Sequence, residues 1–504
     1  MSVSPDRIPV IIGVGQVNDR PPSPELGLDS LGLMEAALRK ADEDAGGGWL
    51  ARLDSLAVVD QISMPQLGKL TEPLAERLGA APKLLHQTPY ASGDSPILLL
   101  NEAANRIANG EIRVAAIVGG EALRTAAQRA AAETATKPHE QSAIRAASQR
   151  PQGEKPYHQR MGLVAPTDVY PLYENAGRAA YGQSLDEAQR ESAQIWSLFS
   201  RVAAANDGAW IKREVEPDEI MTVSADNRPI AYPYTKLMVA NSSVNQGAGF
   251  IVTSLAEAQA RSIPNDRIVY VGQGAAAHEA YSPLKRDRYD ASPSMAVSLN
   301  RALDLNHMSV DQIDQVELYS CFPCVPKMAR RILGLPADRP ATVFGGLTFG
   351  GGPIGNYMSH AVVSMVERLR AGHGRNGLLF ANGGFATHNH TIVVSRDPVR
   401  GDDPAQDFDF QAEADAARGP IPPLVEDYLG SATVETFTIL YKRDASPKVG
   451  IVVARTPDGS RTLAQVPAGD EAGIAALTDS AREPVGRPGQ IVAGEGGQQL
   501  WQFA

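Results

Sequence analysis

The sequence predicts an α/β protein of two similar halves, interrupted at residues 122–245 and followed by a small β-barrel module. Three observations carry this reading. Continuous apolar runs of strand length alternate with amphipathic helices, the pattern of a parallel or mixed sheet covered on both faces. The order of elements starts again near residue 260. Beyond residue 430 the hydrophobic period changes to two.

In the first half, Ile8 to Val17 is an apolar run bounded by Pro and Asn, as a strand buried on both faces requires. Leu26 to Asp42 places Leu31, Met34, Ala37 and Leu38 on one helical face with charges opposite. Leu56 to Ile62 reads as a strand, Leu70 to Leu78 as a helix and Leu84 to Ala91 as an extended stretch. Ile97 to Ile107 reads as a helix opened by a Ser-Gly-Asp-Ser turn, and Val114 to Gly119 as a buried strand. Gly247 to Ser254 restores strand character after the interruption. The second run has strands at Arg267 to Gln273, Val316 to Cys321, Gly377 to Ala381 and Thr391 to Ser395. Its helices are Met295 to Leu303, Pro326 to Leu333 and His360 to Leu369. Residues 397–430, rich in Asp, Pro and Ala, read as a linker. Val434, Thr436, Thr438 and Leu440 then alternate, with turns at Arg443-Asp444 and Pro457-Asp458-Gly459, which predicts an antiparallel barrel of roughly 70 residues. The expected divisions are 1–121 (completed by 246–260), 122–245, 261–396, 397–430 and 431–504.

Composition narrows the function before any motif does. The chain has 504 residues, 58 acidic and 47 basic, for a net charge of −11, which argues against a general nucleic-acid binder. Two cysteines exclude a disulfide framework and a four-cysteine zinc site. No apolar run reaches about 18 residues, so no membrane-spanning helix is expected. The start lacks the features of a signal peptide, and a cytoplasmic protein is expected. Within this acidic chain, residues 124–160 hold seven basic residues against three acidic ones, a local net of +4, together with His139 and His158. The stretch is either a solvated insertion or a cationic loop that receives a phosphate-bearing ligand.

Five segments, in order, resemble the thiolases, most closely the SCP2-type and type-1 thiolase-like branch. Gly345-Gly346 followed by Gly351-Gly352-Pro353-Ile354-Gly355 is similar to the GG-x4-GHPxG segment at the same spacing. Val316 to Phe322 stands where thiolases carry NEAF or HDCF, and Pro89 to Gly93 resembles the loop that carries the nucleophile. Asn241-Ser242-Ser243-x-Asn245-x-Gly247-Ala248 is similar to NASG-x-NDGAA, and Phe380 to Gly384 to the last, CxG-type motif. The resemblance covers about residues 8–396. It implies a five-layered αβαβα fold, an inserted loop domain at 122–245 and an OB-like C-terminal module. It also implies coenzyme A or an acyl-CoA as the small-molecule ligand, and a homodimer. Loop-domain cations, here Arg124 and Arg145, would face its phosphates. Ser243, Gly351, Gly352, Asn382 and Gly383 would contact the same ligand. No metal, nucleic-acid partner or membrane association is implied.

The chemistry-bearing positions differ from the family. A thiolase needs a cysteine at the start of a buried helix, where the helix N-terminus and a histidine lower its pKa. Here Tyr90 stands at that position, Gly352 replaces the histidine of GHP, and Tyr319 replaces the Asn or His of the NEAF-type motif. The second cysteine falls on Phe380 or Ala381. Cys321 and Cys324 lie elsewhere, as small buried residues or as an isolated Cys-x-x-Cys. Tyr319, Tyr90 and His388 are the catalytic candidates. Tyr90 is otherwise a plug in the vacated site, and His360, His388 and His390 are otherwise structural. The glycine loops supply backbone N–H donors for an oxyanion or simply permit tight turns. Three functions follow: an acetyl-CoA acetyltransferase-like acyltransferase of lipid metabolism; a retro-aldol lyase on a β-hydroxyacyl-CoA, with Tyr319 as base and Gly350–Gly352 at the enolate; or a non-catalytic acyl-CoA or lipid binder.

Overall fold

The computed structural model describes residues 4–136, 155–399 and 407–504. Arg145 and the rest of residues 137–154 of the cationic stretch, including His139, lie outside them. The first half runs β1 (Pro9–Asn18), α1 (Ser30–Asp44), β2 (Ser55–Val58), α2 (Thr71–Leu78), β3 (Leu84–Gln87), α3 (Ser95–Ala108) and β4 (Val114–Ala122). The insertion follows: α4 (Leu123–Thr136), α5 (Tyr157–Arg160), α6 (Pro166–Ala180), α7 (Leu185–Ala204), α8 (Pro217–Met221) and a hairpin of β5 (Pro229–Ala231) and β6 (Tyr234–Thr235). β7 (Asn245–Ser254) completes the half and α9 (Leu255–Ala260) leaves it. The second half is β8 (Val269–His278), α10 (Pro293–Leu305), β9 (Gln315–Leu318), α11 (Cys324–Leu333), α12 (Tyr357–Arg370), β10 (Asn376–Gly383) and β11 (His388–Ser395).

The halves share one connectivity. Outward from their junction, the first sheet is ordered β1-β7-β4-β2-β3 and the second β8-β11-β10-β9. In each, the first two pairings are antiparallel and the pairing of the next inner strands is parallel only beyond them: β4 with β2, and β10 with β9. The sheets meet where Val10 and Ile11 of β1 pair with Tyr270 and Val269 of β8. α1 and α2 cover the outside of the first sheet, α10 and α11 the outside of the second. α3 and α12 lie between, each packing on strands of both halves. That gives the expected αβαβα layers.

Burial follows the layers. α1 buries one face, with Leu33, Met34, Ala37 and Leu38 fully covered. α12 is buried at every position from Tyr357 to Val366, because sheets lie on both sides of it. Each fully buried Leu, Ile or Val in this middle layer contributes roughly 1.5–3 kcal/mol.

The C-terminal module is a closed five-stranded barrel of β12 (Gly430–Tyr441), β13 (Pro447–Arg455), β14 (Arg461–Pro467), β15 (Pro488–Ala493) and β16 (Gln499–Phe503). Alternation delivers Val434, Phe437, Val452, Val466, Ile491 and Trp501 to its core. Two features are absent from the sequence reading. Segment 407–429 carries α13 (Gln411–Ala417), whose Ala414 is fully buried and which packs on α10 and β8. α14 (Glu471–Thr478) is a short helix, capped by Asp470 accepting from Gly473 N, between β14 and β15. The insertion's hairpin joins the barrel sheet at Ala231 and Leu440.

Candidate functional site

The loops that follow β9 and β10 meet at the first turn of α3. A methyl group on Gly93 would lie 2.2 Å from the Asn382 carbonyl oxygen and 2.3 Å from the Tyr319 hydroxyl. One on Gly383 would lie 2.2 Å from Ser92 Oγ, and one on Gly355 3.0 Å from Ser92 N. Three other motif loops therefore converge on Ser92-Gly93. Gly345 and Gly351 hold φ of 116° and 108°, which only glycine adopts without strain. The turn between them is a single π-helical turn, Gly346–Gly350.

Tyr319, just past the end of β9, is buried against Gly93, and burial holds its phenol pKa well above the usual range. At neutral pH it is a hydrogen-bond donor. Ser92 Oγ donates to Asp94 Oδ1. Tyr90 does not fill the helix N-terminus: its ring is 47% exposed. Its hydroxyl lies 3.1 Å from that of Tyr281 and 3.4 Å from His388 Nε2. The Tyr281 hydrogen bond, then partial burial, pushes the Tyr90 phenol up to about 12. His388 is half-buried and packs edge-on to Tyr281 at 5.4 Å and stacked with His278 at 6.4 Å. The structure thus groups Tyr90 with His388, and Tyr319 with Asn382 and Gly383.

The Asn382 side chain is fully engaged: Oδ1 lies 3.0 Å from the Tyr170 hydroxyl, and Nδ2 donates to the Asn389 amide oxygen at 3.0 Å. Its main-chain oxygen faces Gly93. Gly352 N donates to Asn241 O at 2.8 Å, and Gly351 leaves room for Gln246. Ser243 and Arg124 are exposed neighbours, joined through Arg124 N donating to Val244 O at 3.1 Å. His360 and His390 are buried, hydrogen-bonded to Gln16 and Asn101, and burial lowers both to about 3. They remain neutral and away from α3's first turn. Cys321 and Cys324 are buried free thiols; burial pushes Cys321 up to about 12 and Cys324 well above its usual value, so neither supplies a thiolate at neutral pH.

Four residues here went unread in the sequence. Tyr281 and His278 follow from the β8–β11 register, which sets His278 opposite His388. Tyr170 reaches the site from α6. Glu317 is a fully buried carboxyl that accepts from Thr342 Oγ1 at 2.7 Å, Val343 N at 2.9 Å and Tyr357 Oη at 2.7 Å. Burial outweighs these bonds and raises it to about 7. The Tyr357 ring stands edge-on to Tyr319 at 5.6 Å. Period-two spacing marks Glu317 as an inward strand position, but only the partner loop shows what receives it.

Among the described residues no group of three or more His, Cys, Asp and Glu side chains is arranged to hold a metal, and no helix is long and apolar enough to cross a membrane.

These two halves, layered together as αβαβα, with their glycine loops define a thiolase-like fold. Residues 409–495 match the family described as thiolase-like protein type 1 additional C-terminal domain. The monomeric SCP2-thiolase-like protein type 1 of Mycobacterium smegmatis superposes with a TM-score of 0.81 at 31% identity, over 99% of each chain. The Ltp2–ChsH2(DUF35) aldolase superposes with a TM-score of 0.58 at 16% identity, over 79% of this chain and 100% of that one. The dimeric peroxisomal thiolase of Saccharomyces cerevisiae does so with 0.57 at 13%, over 78% and 98%. The last two likenesses concern the fold. No curated protein matches the sequence. The chain belongs to the SCP2-thiolase-like proteins of type 1, in the thiolase superfamily.

Proposed function

We propose that the chain binds an acyl-CoA thioester along the shared strand edge and that no acyl-enzyme forms there. The observation that carries the reading is the start of α3. The position where acyl transfer needs an activated thiol holds the half-exposed Tyr90, and behind it Ser92 is turned onto Asp94, with Tyr319 and the Asn382 carbonyl closing on Gly93. No imidazole hydrogen-bonds to Ser92 among the described residues. The ligand class rests on the thiolase-like family and on exposed Arg124 beside Ser243, suited to a phosphate; the amides of Gly345, Gly346, Gly350 and Gly352 are already engaged within the fold.

One contact favours a lyase over a pure binder. Tyr90 Oη within 3.4 Å of His388 Nε2 is an acid–base pair at the mouth of the site. In a retro-aldol cleavage the pair would take the β-hydroxyl proton as the α–β carbon bond breaks. The electron pair would pass to the thioester enolate, with Tyr319 donating toward the enolate oxygen. Reprotonation at the α carbon would release the shortened thioester and an aldehyde or ketone.

Calorimetric titration of the full chain with CoA, acetyl-CoA and a 3-hydroxyacyl-CoA tests the binding. Saturable heats below about 1 mM are expected. Absence of binding by every CoA species at that concentration would overturn it.

A further inference from the structure

The turn that joins β10 to β11 carries Asn382 and Gly383 on one side and His388 on the other. Its backbone is strained at Ala386, a non-glycine with φ of 55°, two residues after Gly384, which takes φ of 65° freely. A left-handed alanine persists where its surroundings over-determine it. Two holders reach the turn from outside. From α6, the Tyr170 hydroxyl lies 3.0 Å from Gly384 O and accepts from Ala386 N at 2.9 Å, and the Tyr173 hydroxyl donates to Phe385 O at 2.8 Å. From the loop after β8, the buried Arg286 guanidinium donates to Phe385 O at 2.8 Å, to Thr387 Oγ1 at 3.3 Å and to Ala280 O beside Tyr281.

Both holders are fastened to the C-terminal barrel. Between Tyr170 and Tyr173, Leu172 O accepts from the fully buried Thr436 hydroxyl of β12 at 2.6 Å. One turn on, Asn175 Nδ2 donates to Phe437 O at 2.9 Å. The Arg286 loop is gripped by Arg461 of β14, whose guanidinium donates to Leu284 O at 2.7 Å and to Arg286 O at 2.5 Å. Glu435 pins that guanidinium from the other side at 2.6 and 2.7 Å, and Arg461 has no exposed surface.

We infer that the barrel is the positioning module for the 383–388 turn, with Thr436 and Arg461 as positioning residues that act through Tyr170, Tyr173 and Arg286. The module shapes the site without touching a ligand, so the inference stands whether or not CoA binds. The test is hydrogen–deuterium exchange of the unliganded full chain, comparing wild type with Thr436→Val and with Arg461→Met/Glu435→Gln. The double change removes both members of the Arg461–Glu435 pair; Arg455, which also donates to Glu435, is part-exposed and stays solvated. The expected result is exchange roughly tenfold or more faster at the amides of 385–388, with the amides of β13 and β1 unchanged. Unchanged exchange at the turn in Thr436→Val would overturn the inference. So would acceleration of the turn, β13 and β1 by one common factor, which marks only a loss of global stability.

Discussion

The connection from β4 to β7 in the first half and that from β10 to β11 in the second occupy equivalent places. One runs through residues 123–244, the other through the tight turn 384–387. Their difference explains much of the molecule. The long connection does not stay with the half that bears it. Its helix α6 crosses to the second half and lays Tyr170 and Tyr173 on the short connection. The barrel then closes over α6 from behind. A duplicated fold thus becomes asymmetric: the first half supplies α3's first turn, the second supplies Tyr319 and the glycine loops, and the insertion and barrel hold the second half's turn.

The largest expected effect lies where the insertion meets the second half. Lys327 of α11 donates to Glu174 of α6 at 2.5 Å with both side chains buried, and Tyr234 Oη also donates to Glu174. Lys327→Met leaves a buried carboxylate without its cation and is expected to cost about 3–5 kcal/mol in denaturant unfolding. Lys327→Met/Glu174→Gln should recover most of that. If the single change is neutral, the insertion is not anchored through this pair. Next comes the seam between the halves. Gly93→Ala puts a methyl into Asn382 O and Tyr319 Oη, and about 3 kcal/mol of destabilisation is expected with loss of CoA-thioester binding. Wild-type binding by Gly93→Ala would mean the site is not at this turn.

The third prediction separates buried carboxyls from buried imidazoles. Glu317, and Glu121 at the end of β4, are each raised by burial from the ordinary 4.5 of a glutamate to about 7. A raised carboxyl takes up a proton on folding, so its stability is fully present below about 4.5 and falls as pH rises through about 7. His360 and His390, lowered to about 3, act oppositely: their stability is present above about 6.5 and falls as pH drops toward 3. Relative to wild type, Glu317→Gln should therefore gain some 2–3 kcal/mol between pH 5 and pH 8, read from unfolding midpoints across pH. A pH-independent difference would show that Glu317 stays ionised. The smallest effect is Tyr170→Phe, which removes one hydroxyl from the 384–386 turn and is expected to cost about 1–2 kcal/mol. No change would place the hold on Tyr173 and Arg286 alone.

Much of the fold was legible because its strands are continuous apolar runs and its glycine motifs keep family spacing. The five-layer architecture, the two halves and the barrel all followed. Strand ends were less clear: β9 stops at Leu318, three residues before the predicted Cys321, because Tyr319 turns beneath Gly93. α13 and α14 were missed because short, Ala-rich segments carry weak periodicity. At the site, the motif loops pointed to Tyr90, Tyr319, His388 and Gly383, which the structure splits into Tyr90 with His388 and Tyr319 with Gly383, while Ser92 beside Gly93 was not singled out. Tyr170, Tyr281 and Arg286 were not legible, since each reaches the site from an element remote in sequence and no local pattern records a long-range hydroxyl or guanidinium contact.

The central claim is that the start of α3 accommodates a CoA thioester but cannot carry its acyl group. Intact-mass spectrometry of the full chain after incubation with acetyl-CoA, on samples whose binding is measured in parallel by calorimetry, tests it most directly. The account predicts saturable binding with the protein mass unchanged. A protein heavier by one acetyl group, with the adduct mapped to Ser92, Cys321 or Cys324, would contradict it.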